Sequence, residues 1–385
     1  MTRRYHLAHQ EKPHIGLNAH LLALGNSYRS AGISTYIYQL LRHLPLVSDF
    51  RYTAWMSEPG GELAGLTRRL TPLPTSRPAV RILWEQLLQP YGVARVRPDL
   101  LHGMAFVLPL WLTLPAIATI YDLTFLHVPE AFRPLNRLYL RTMTQVSARR
   151  ATHLCAIAEH GREDIARQLG VPLEKITVVY PGLDPAFATP PSASEVDDFR
   201  RRRGLPERFV LYVGTLEPRK NVPALIHAFA AIRRRVPGVK LVLAGGKGWG
   251  FDEIFAEVER LGLGDEVHFP GFVPQDELAL WYAAAELFVY PSRYEGFGLP
   301  PLEAMACGTP VIVSHATSLV EVVGDAGRMV SPDDEEALAE AMVALLTDPS
   351  AQASCRAQGL AQAARFQWRN SAATQAAVYQ RVLEG

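Results

Sequence analysis

The feature that most constrains this chain is a rhythm that runs through it twice. Short apolar runs alternate with longer segments of helical period, which is the pattern of βαβ units around a parallel sheet. In the first half, residues 14–17 read as a strand, a loop holding Gly25 and Gly32 follows, and 34–44 read as an amphipathic helix. Strands are also expected at 100–102, 117–121, 154–157 and 176–179, with helical spacing over 135–150. The second half restarts with a buried strand at 209–213, a loop over 214–221 and a helix over 222–235. Further strands are expected at 240–244, 267–269, 287–290 and 311–313, helices at 251–261 and 275–285, and an Ala-rich helical tail from Asp334 onward. Between the halves, residues 180–191 are rich in Pro and Gly and pass into the charged run 195–203, which reads as a linker. The expected fold is therefore α/β, with two Rossmann-like domains whose parallel sheets face across a cleft. The division is 1–186, 187–366, and a last helix over 367–385 that packs back toward the first domain.

Size and charge agree with that reading. A chain of 385 residues exceeds the length at which one core stops growing. Its 39 Lys and Arg nearly cancel its 38 Asp and Glu, so a net charge of +1 offers no broad field for nucleic acid. Cys155, Cys307 and Cys355 lie far apart with no CxxC pair, which argues against a disulfide framework or a zinc site. Residues 1–12 are polar, and the longest apolar stretch, 105–120, is broken by Pro109 and Pro115 and is shorter than the ~20 residues a membrane span requires. A cytoplasmic location is expected.

The most informative stretch is Pro291-Ser-Arg-Tyr-Glu-Gly-Phe-Gly-Leu-Pro-Pro-Leu-Glu-Ala-Met-Ala-Cys-Gly-Thr-Pro-Val-Ile-Val-Ser314, which reads as strand, glycine loop, helix, strand. Gly296 and Gly298 let the backbone approach a ligand, and the amides of Phe297, Gly298 and Leu299 at a helix start favour an anion. Glu295 and Glu303, eight residues apart, could each accept hydrogen bonds from a hydroxyl pair, one on each sugar of a nucleotide sugar. A surface turn residue and a helix-start Glu would explain the same two positions without function. A second stretch, Tyr212-Val-Gly-Thr-Leu-Glu-Pro-Arg-Lys-Asn221, follows an expected strand and supplies two adjacent cations, Arg219 and Lys220, that could neutralise a diphosphate leaving group. The anion pocket is expected to open toward Lys220 across the interdomain gap.

These two stretches resemble the family-four group of retaining glycosyltransferases with the GT-B fold. Glu295 and Glu303 match its E-x7-E motif within Pro-Ser-x-x-Glu-Gly-Phe-Gly-Leu-Pro-x-Leu-Glu-Ala-Met-Ala-Cys-Gly-x-Pro-Val. The resemblance implies that Glu295 sits at the donor sugar, that Glu303 binds the nucleotide ribose, and that Lys220 serves the diphosphate with Arg219 close by. Ser292 falls within the same matched loop. Thr215 stands where many relatives carry Arg, so one phosphate contact is expected to be weaker. Gly32-Ile-Ser-Thr-Tyr36 is similar to the glycine turn that faces the diphosphate from the other domain. In Ile120-Tyr-Asp-Leu, Tyr121 replaces a His that relatives place near the donor sugar. Either the Tyr121 hydroxyl supplies that contact, with Asp122 beside it, or the acceptor side is built differently. Relatives set the nucleobase against the region around Gly245 and Val273.

The resemblance implies a hexose transferred from a nucleotide diphosphate sugar, GDP-mannose first and UDP- or dTDP-linked sugars next, to a glycan or lipid-linked acceptor in cell-surface polysaccharide synthesis. Neither a cofactor nor a metal is expected, since lysine and amides can supply the counter-charge. Same-face substitution and double displacement through Glu295 both remain open. The alternatives are a binding protein of the same fold without turnover, and a nicotinamide dehydrogenase, whose phosphate fingerprint the sequence lacks. Arg133, Arg137, Arg141, Arg149 and Arg150, with Leu135, Leu138 and Leu140, suggest peripheral contact with anionic lipid at the inner face of the membrane. A solvated helix face accounts for the same pattern.

Overall fold

The computed structural model describes residues 12–23, 32–59, 61–71, 73, 75 and 77–385; Gly25 and residues 1–11 lie outside them. The first sheet contains β1 (His14–Asn18), β2 (Arg51–Met56), β3 (Thr67–Leu70), β4 (Leu100–Gly103), β5 (Ala116–Ile120), β6 (His153–Ala156) and β7 (Ile176–Val178). Their order is β3-β2-β1-β4-β5-β6-β7, and every pairing is parallel. The second sheet contains β8 (Arg208–Val213), β9 (Val239–Ala244), β10 (Val267–Gly271), β11 (Leu287–Tyr290), β12 (Val311–Ser314) and β13 (Arg328–Val330), in the order β10-β9-β8-β11-β12-β13. It too is parallel throughout.

The central strands are apolar on both faces because helices cover both. All of β5, β11 and β12 is buried. In each sheet the strand order reverses beside the first strand, between β1 and β4 and between β8 and β11. Ligands of open α/β sheets bind at such switch points, beyond the carboxyl ends of the strands. The two sheets therefore each contribute one switch point.

Several elements depart from the sequence expectation. The charged run read as linker is the helix Ala193–Arg203, started by a capping box in which Ser192 and Glu195 satisfy each other's backbone amides. Only Phe199 of that helix is buried, so its solvated faces look like linker in the sequence. Residues 78–96 are also helical: Pro78–Leu83 and Gln89–Val96 are joined by a π-helical turn, Trp84–Leu88. Edge strands β3 and β13 lack the apolar runs that mark the central strands.

The last helix, Trp368–Glu384, packs against the helix Ile33–Val47 of the first half. Its Tyr379 hydroxyl is 2.7 Å from Nδ1 of buried His102 on β4, and Leu183 donates from its amide to the Phe366 carbonyl at 2.8 Å. Gly182 makes this return possible. A Cβ there would lie 2.2 Å from the Trp368 amide nitrogen. Gly182→Ala is therefore expected to displace the last helix and cost about 2 kcal/mol or more, seen as a lowered Tm; an unchanged Tm would show that the contact gives way freely.

Candidate functional site

The switch point between β8 and β11 is closed by a cluster of opposite charges. After β8 the chain makes a single 3₁₀ turn, Pro218–Lys220, and Asn221 takes a left-handed conformation (φ 56°) before the helix Val222–Ile232. The Arg293 amide, in the loop after β11, donates to the Arg219 carbonyl at 2.9 Å and ties the two loops together. Lys220 Nζ donates to Glu295 Oε1 at 2.6 Å and to the Tyr290 hydroxyl at 2.7 Å. Arg219 Nη1 donates to Glu295 Oε2 at 3.2 Å and to the Tyr294 carbonyl at 2.8 Å, while its Nε pairs with Glu217 at 2.6 Å. Lys220 thus reaches Glu295 from the neighbouring strand of the same sheet. It does not lie across the interdomain gap from the loop.

The cluster's electrostatics follow from its burial. Glu295 is 8% exposed and Lys220 6%. Burial alone would raise the Glu295 carboxyl, but the charges of Lys220 and Arg219 outweigh it and hold the group down to about 2. Burial pulls the Lys220 ammonium down, against Glu295. For Arg219 burial is opposed by Glu295 and Glu217, and the guanidinium rises above its usual range. Two cations thus face two carboxylates. Because Glu295 is depressed, its stabilising contribution is present above its ordinary value of 4.5 and is lost as pH falls toward about 2.

Beyond Glu295 the loop turns into the helix Leu299–Ala306 through Gly298, whose φ of 110° suits glycine. The Ser318 hydroxyl donates to the carbonyls of both Glu295 and Phe297, and Thr317 Oγ1 accepts from the Glu295 amide. Among the described residues, no group accepts from the amides of Gly296, Phe297, Gly298 or Leu299. That leaves a short row of N–H donors at a helix start, a ready anion site. One turn into the helix, the half-buried Glu303 accepts from the Tyr282 hydroxyl at 2.9 Å. Burial pushes its carboxyl up to about 7, the Tyr282 hydrogen bond opposing the rise.

The other half meets this loop closely. A Cβ on Gly296 would come 2.8 Å from the Tyr121 carbonyl oxygen and 3.2 Å from Asp122 Cβ, so only glycine fits between the two halves here. The Tyr121 hydroxyl is committed elsewhere, donating to the Met104 carbonyl at 2.7 Å. Of the two routes open for Tyr121, contact through its hydroxyl is therefore not set up; the residue offers its carbonyl, and the half-buried Asp122 stands beside it, capping the Thr124 amide. Tyr294, one residue before Glu295, crosses between the halves. Its hydroxyl accepts from the Leu123 amide at 3.1 Å, and its ring lies 4.8 Å from that of His127, which pairs with Asp164 at 2.6 Å. A second crossing is made by Glu321, whose carboxylate accepts from the amides of Glu159 and His160 at the start of the helix Glu159–Leu169 and from the Tyr180 hydroxyl.

The remaining expected positions stand around this centre. Gly32 is the exposed N-cap of the helix Ile33–Val47, with φ 62°. Thr215 is half-buried, its carbonyl accepting from the Tyr212 hydroxyl. At Gly245 a Cβ would fall 1.8 Å from the Gly214 carbonyl oxygen, so the loops after β8 and β9 lie in backbone contact. Ser292 is fully buried under the loop, and Val273 lines a cavity of about 340 Å³ with Phe272, His268 and Trp281. Glu295, Lys220, Arg219, the glycine loop, Tyr121 and Asp122 come together; Val273 faces the cavity, and among the described residues nothing lies within 4 Å of where a Gly32 Cβ would be. Sequence reasoning missed Glu217, Tyr290, Tyr294 and Glu321. Glu217 and Tyr294 sat inside the quoted motifs, whereas the roles of Tyr290 and Glu321 depend on which strands and halves adjoin. Among the described residues, no group of three or more His, Cys, Asp or Glu side chains gathers in a way that could hold a metal ion.

Comparison with known proteins places this geometry. The model of "Glycosyl transferases group 1" matches residues 194–362, and that of "Glycosyltransferase Family 4" matches residues 30–187. The chain is 35% identical over 287 residues to "O-antigen chain mannosyltransferase B" of Escherichia coli, covering 73% of this chain and 74% of that one. It is 34% identical over 229 residues to "Serotype-specific mannosyltransferase WbdA" of Escherichia coli, of which it covers 28%. In structure it resembles sucrose-phosphate synthase from Thermosynechococcus elongatus (TM-score 0.77, 24% identity, 97% of this chain and 100% of that one). It also resembles Anabaena Alr3699/HepE in complex with UDP and glucose (TM-score 0.73, 20% identity, 96% and 99%).

Two expectations follow from the contacts alone. Lys220→Ala leaves a buried carboxylate short of a partner and is expected to cost ~3 kcal/mol, with Glu295→Ala in the same chain recovering part of the loss; strictly additive denaturation midpoints would show that the pair is not coupled. The double variant Tyr294→Phe/Glu321→Gln is expected to loosen the halves by ~1.5 kcal/mol or more. The measurement is the radius of gyration in solution, which should rise; an unchanged radius would show that other contacts hold the halves.

Proposed function

We propose, from the premise that this chain belongs to the group 1 glycosyltransferases of GT-B fold, that it transfers a hexose with retention from a nucleotide diphosphate sugar, GDP-mannose first, to a glycan or lipid-linked acceptor in polysaccharide synthesis. The observation that carries the reading is the row of unpaired amides at 296–299 standing beside Lys220 and Arg219, where the loop meets the opposite half. The names of the mannosyltransferase relatives support mannose, and they support a polysaccharide product.

In this reading the domains divide near residues 186 and 366, the first contributing the acceptor side and the second the donor. The donor diphosphate lies against the amides of Gly296, Phe297, Gly298 and Leu299. Lys220 and Arg219 stabilise the charge that grows on the leaving phosphate as the sugar departs, which is the largest help a preorganised site can give. Glu303 accepts from the ribose hydroxyls, and Glu295 faces the sugar. Thr215, Gly245, Val273 and Ser292 shape the nucleotide side, with Gly32 approaching the diphosphate from the first domain. Asp122 and the Tyr121 carbonyl are the polar groups offered to sugar or acceptor.

Same-face substitution is the better supported route. One oxygen of Glu295 is held by Lys220 and the other by Arg219, so the carboxylate is spoken for by two cations and is a poor nucleophile for double displacement. The leaving phosphate oxygen then takes the acceptor's proton. With counter-charge supplied by side chains and amides, the reaction requires no metal, and activity should survive a chelator.

A thermal-shift panel of nucleotide sugars tests the donor. GDP-mannose is expected to raise Tm most; a larger shift with a UDP- or dTDP-linked sugar reassigns the donor, and no shift with any removes the reading. The elevated carboxyl of Glu303 adds a pH signature, since the ribose needs the ionised form. Donor affinity is expected to rise as pH increases through about 7, the doubly esterified diphosphate of the donor holding no proton in that range. Glu303→Gln should weaken donor binding about tenfold and flatten the profile. A profile unchanged in that variant would remove Glu303 from the site.

A further inference from the structure

Although the whole chain is nearly neutral, its cations are not evenly spread. Residues 77–97 and 133–150 carry Arg77, Arg81, Arg95, Arg97, Arg133, Arg137, Arg141, Arg149 and Arg150, against the single carboxylate of Glu85. Glu85 is buried and held by His20 Nε2 at 2.7 Å and by the Tyr139 hydroxyl at 2.8 Å. Among the described residues, none of these nine arginines is ion-paired with a carboxylate. Seven of them are exposed, and Arg81 and Arg137 are half-buried. This is a local positive field whose one internal carboxylate is buried and engaged elsewhere.

The same elements expose large apolar side chains: Leu83, Leu87 and Tyr91 on one helical segment, Leu135 (81% exposed) and Leu138 on another, and Trp111 (76%) on the connection after β4. Leu83, Leu87 and Tyr91 recur every four residues, and Leu135 and Leu138 are three apart, so each set shares one face of its helix. Two hydrogen bonds join the three elements: the Leu110 amide donates to Gln86 Oε1 at 3.0 Å, and Tyr139 donates to Glu85. Leu140 does not belong to the face; it packs inward. The segment is also braced from behind, since Asn18 at the end of β1 bonds both His20 and Gln89. The apolar face is therefore presented on a fixed support.

Topology sets where this face looks. In a parallel sheet the helices run back against the strands, so the first half of each helix lies at the carboxyl edge. Leu83 and Leu87 lie in the first half of the segment entering β4, and Leu135 and Leu138 in the first turns of the helix Pro134–Arg150 after β5. The face therefore borders the rim of the cleft on the first half.

We propose that this face is a docking surface for an anionic lipid bilayer, with the leucines, Tyr91 and Trp111 entering the interfacial layer and the arginines meeting the headgroups. An amphipathic face with arginine flanks and aromatic residues matches that partner. A second copy of the chain would bring two sets of unpaired arginines together, and a nucleic acid would leave the leucines unused. Docking there would hold the cleft rim at the membrane, where a lipid-linked acceptor can enter; that consequence rests on the proposed glycosyl transfer, whereas the surface does not.

The test is sedimentation of the full chain with vesicles of phosphatidylcholine alone or with phosphatidylglycerol added, without donor or acceptor. Binding is expected only to the anionic vesicles and should fall steeply with salt. Leu87→Ser/Leu135→Ser and Arg133→Glu/Arg141→Glu should each reduce it at least about tenfold, while the donor-induced shift in Tm stays that of the parent and shows that both variants are folded. Absence of binding to anionic vesicles, equal binding to neutral ones, or binding indifferent to the leucine changes would overturn the proposal. Heparin binding as strong as vesicle binding, and untouched by those changes, would assign the face to soluble polyanions instead. A chain that docks on vesicles yet ignores every nucleotide sugar would keep this surface and remove the transferase reading.

Discussion

The contact on which the rest of the site depends is the buried carboxylate of Glu295, gripped by Lys220 on one oxygen and Arg219 on the other. A lone carboxylate at that depth would protonate or drag water in. With two cations against it the group stays ionised, and Glu295 in turn favours the charged forms of Arg219 and Lys220 against the burial that opposes them. The arrangement also does mechanical work. Arg219 holds the Tyr294 carbonyl and Lys220 holds Tyr290, so loops from two adjacent strands are fixed to each other by side chains as well as by the Arg293 amide. A loop pinned in this way can leave its amides at 296–299 unpaired without collapsing onto them.

That rigidity explains how two separate sheets meet around one charge cluster. The glycine loop touches the first half at Gly296, Tyr294 reaches to Leu123 and His127 from the position next to Glu295, and Glu321 seats itself on the start of a first-half helix. Any change in the distance between the halves acts on Tyr294 and therefore on the backbone of Glu295. The charge cluster and the interdomain contacts are thus one connected structure. The final helix, returning across Gly182 to the first sheet, limits how far the halves can separate.

How much of this was legible in the sequence depended on range. Central strands such as Leu287–Tyr290 announce themselves because both faces are covered and the run is apolar, whereas β3, Thr-Arg-Arg-Leu at an exposed edge, carries no such pattern. The helix Ala193–Arg203 was visible through Ser192 and Glu195, but its charge run masked it. The resemblance of the motif placed Glu295, Glu303 and Lys220 at one site. It could not say that Lys220 approaches from the same sheet, because that follows from β8 lying beside β11. Nor could it say that the Tyr121 hydroxyl is spent on the Met104 carbonyl, a contact set by the path of the connection after β4.

Charge distribution carries the last step. In the second half several cations are answered by carboxylates: Arg208 by Glu286, Arg235 by Glu340, Arg260 by Glu257, Lys220 and Arg219 by Glu295. The arginines of residues 77–97 and 133–150 are not, and they flank leucines that no other element covers. Near-neutrality of the whole chain is therefore the sum of two different halves: residues 1–186 carry 20 Lys and Arg against 13 Asp and Glu, with an open positive face beside the cleft rim, and residues 187–385 carry 19 against 25. In the proposed reading the donor's charge is met by the cluster and amides in the second half, so a soluble donor alone would gain nothing from that asymmetry. The docking proposed for this face suits a partner that is both anionic and apolar, and a membrane surface has both properties in the same few ångströms of depth.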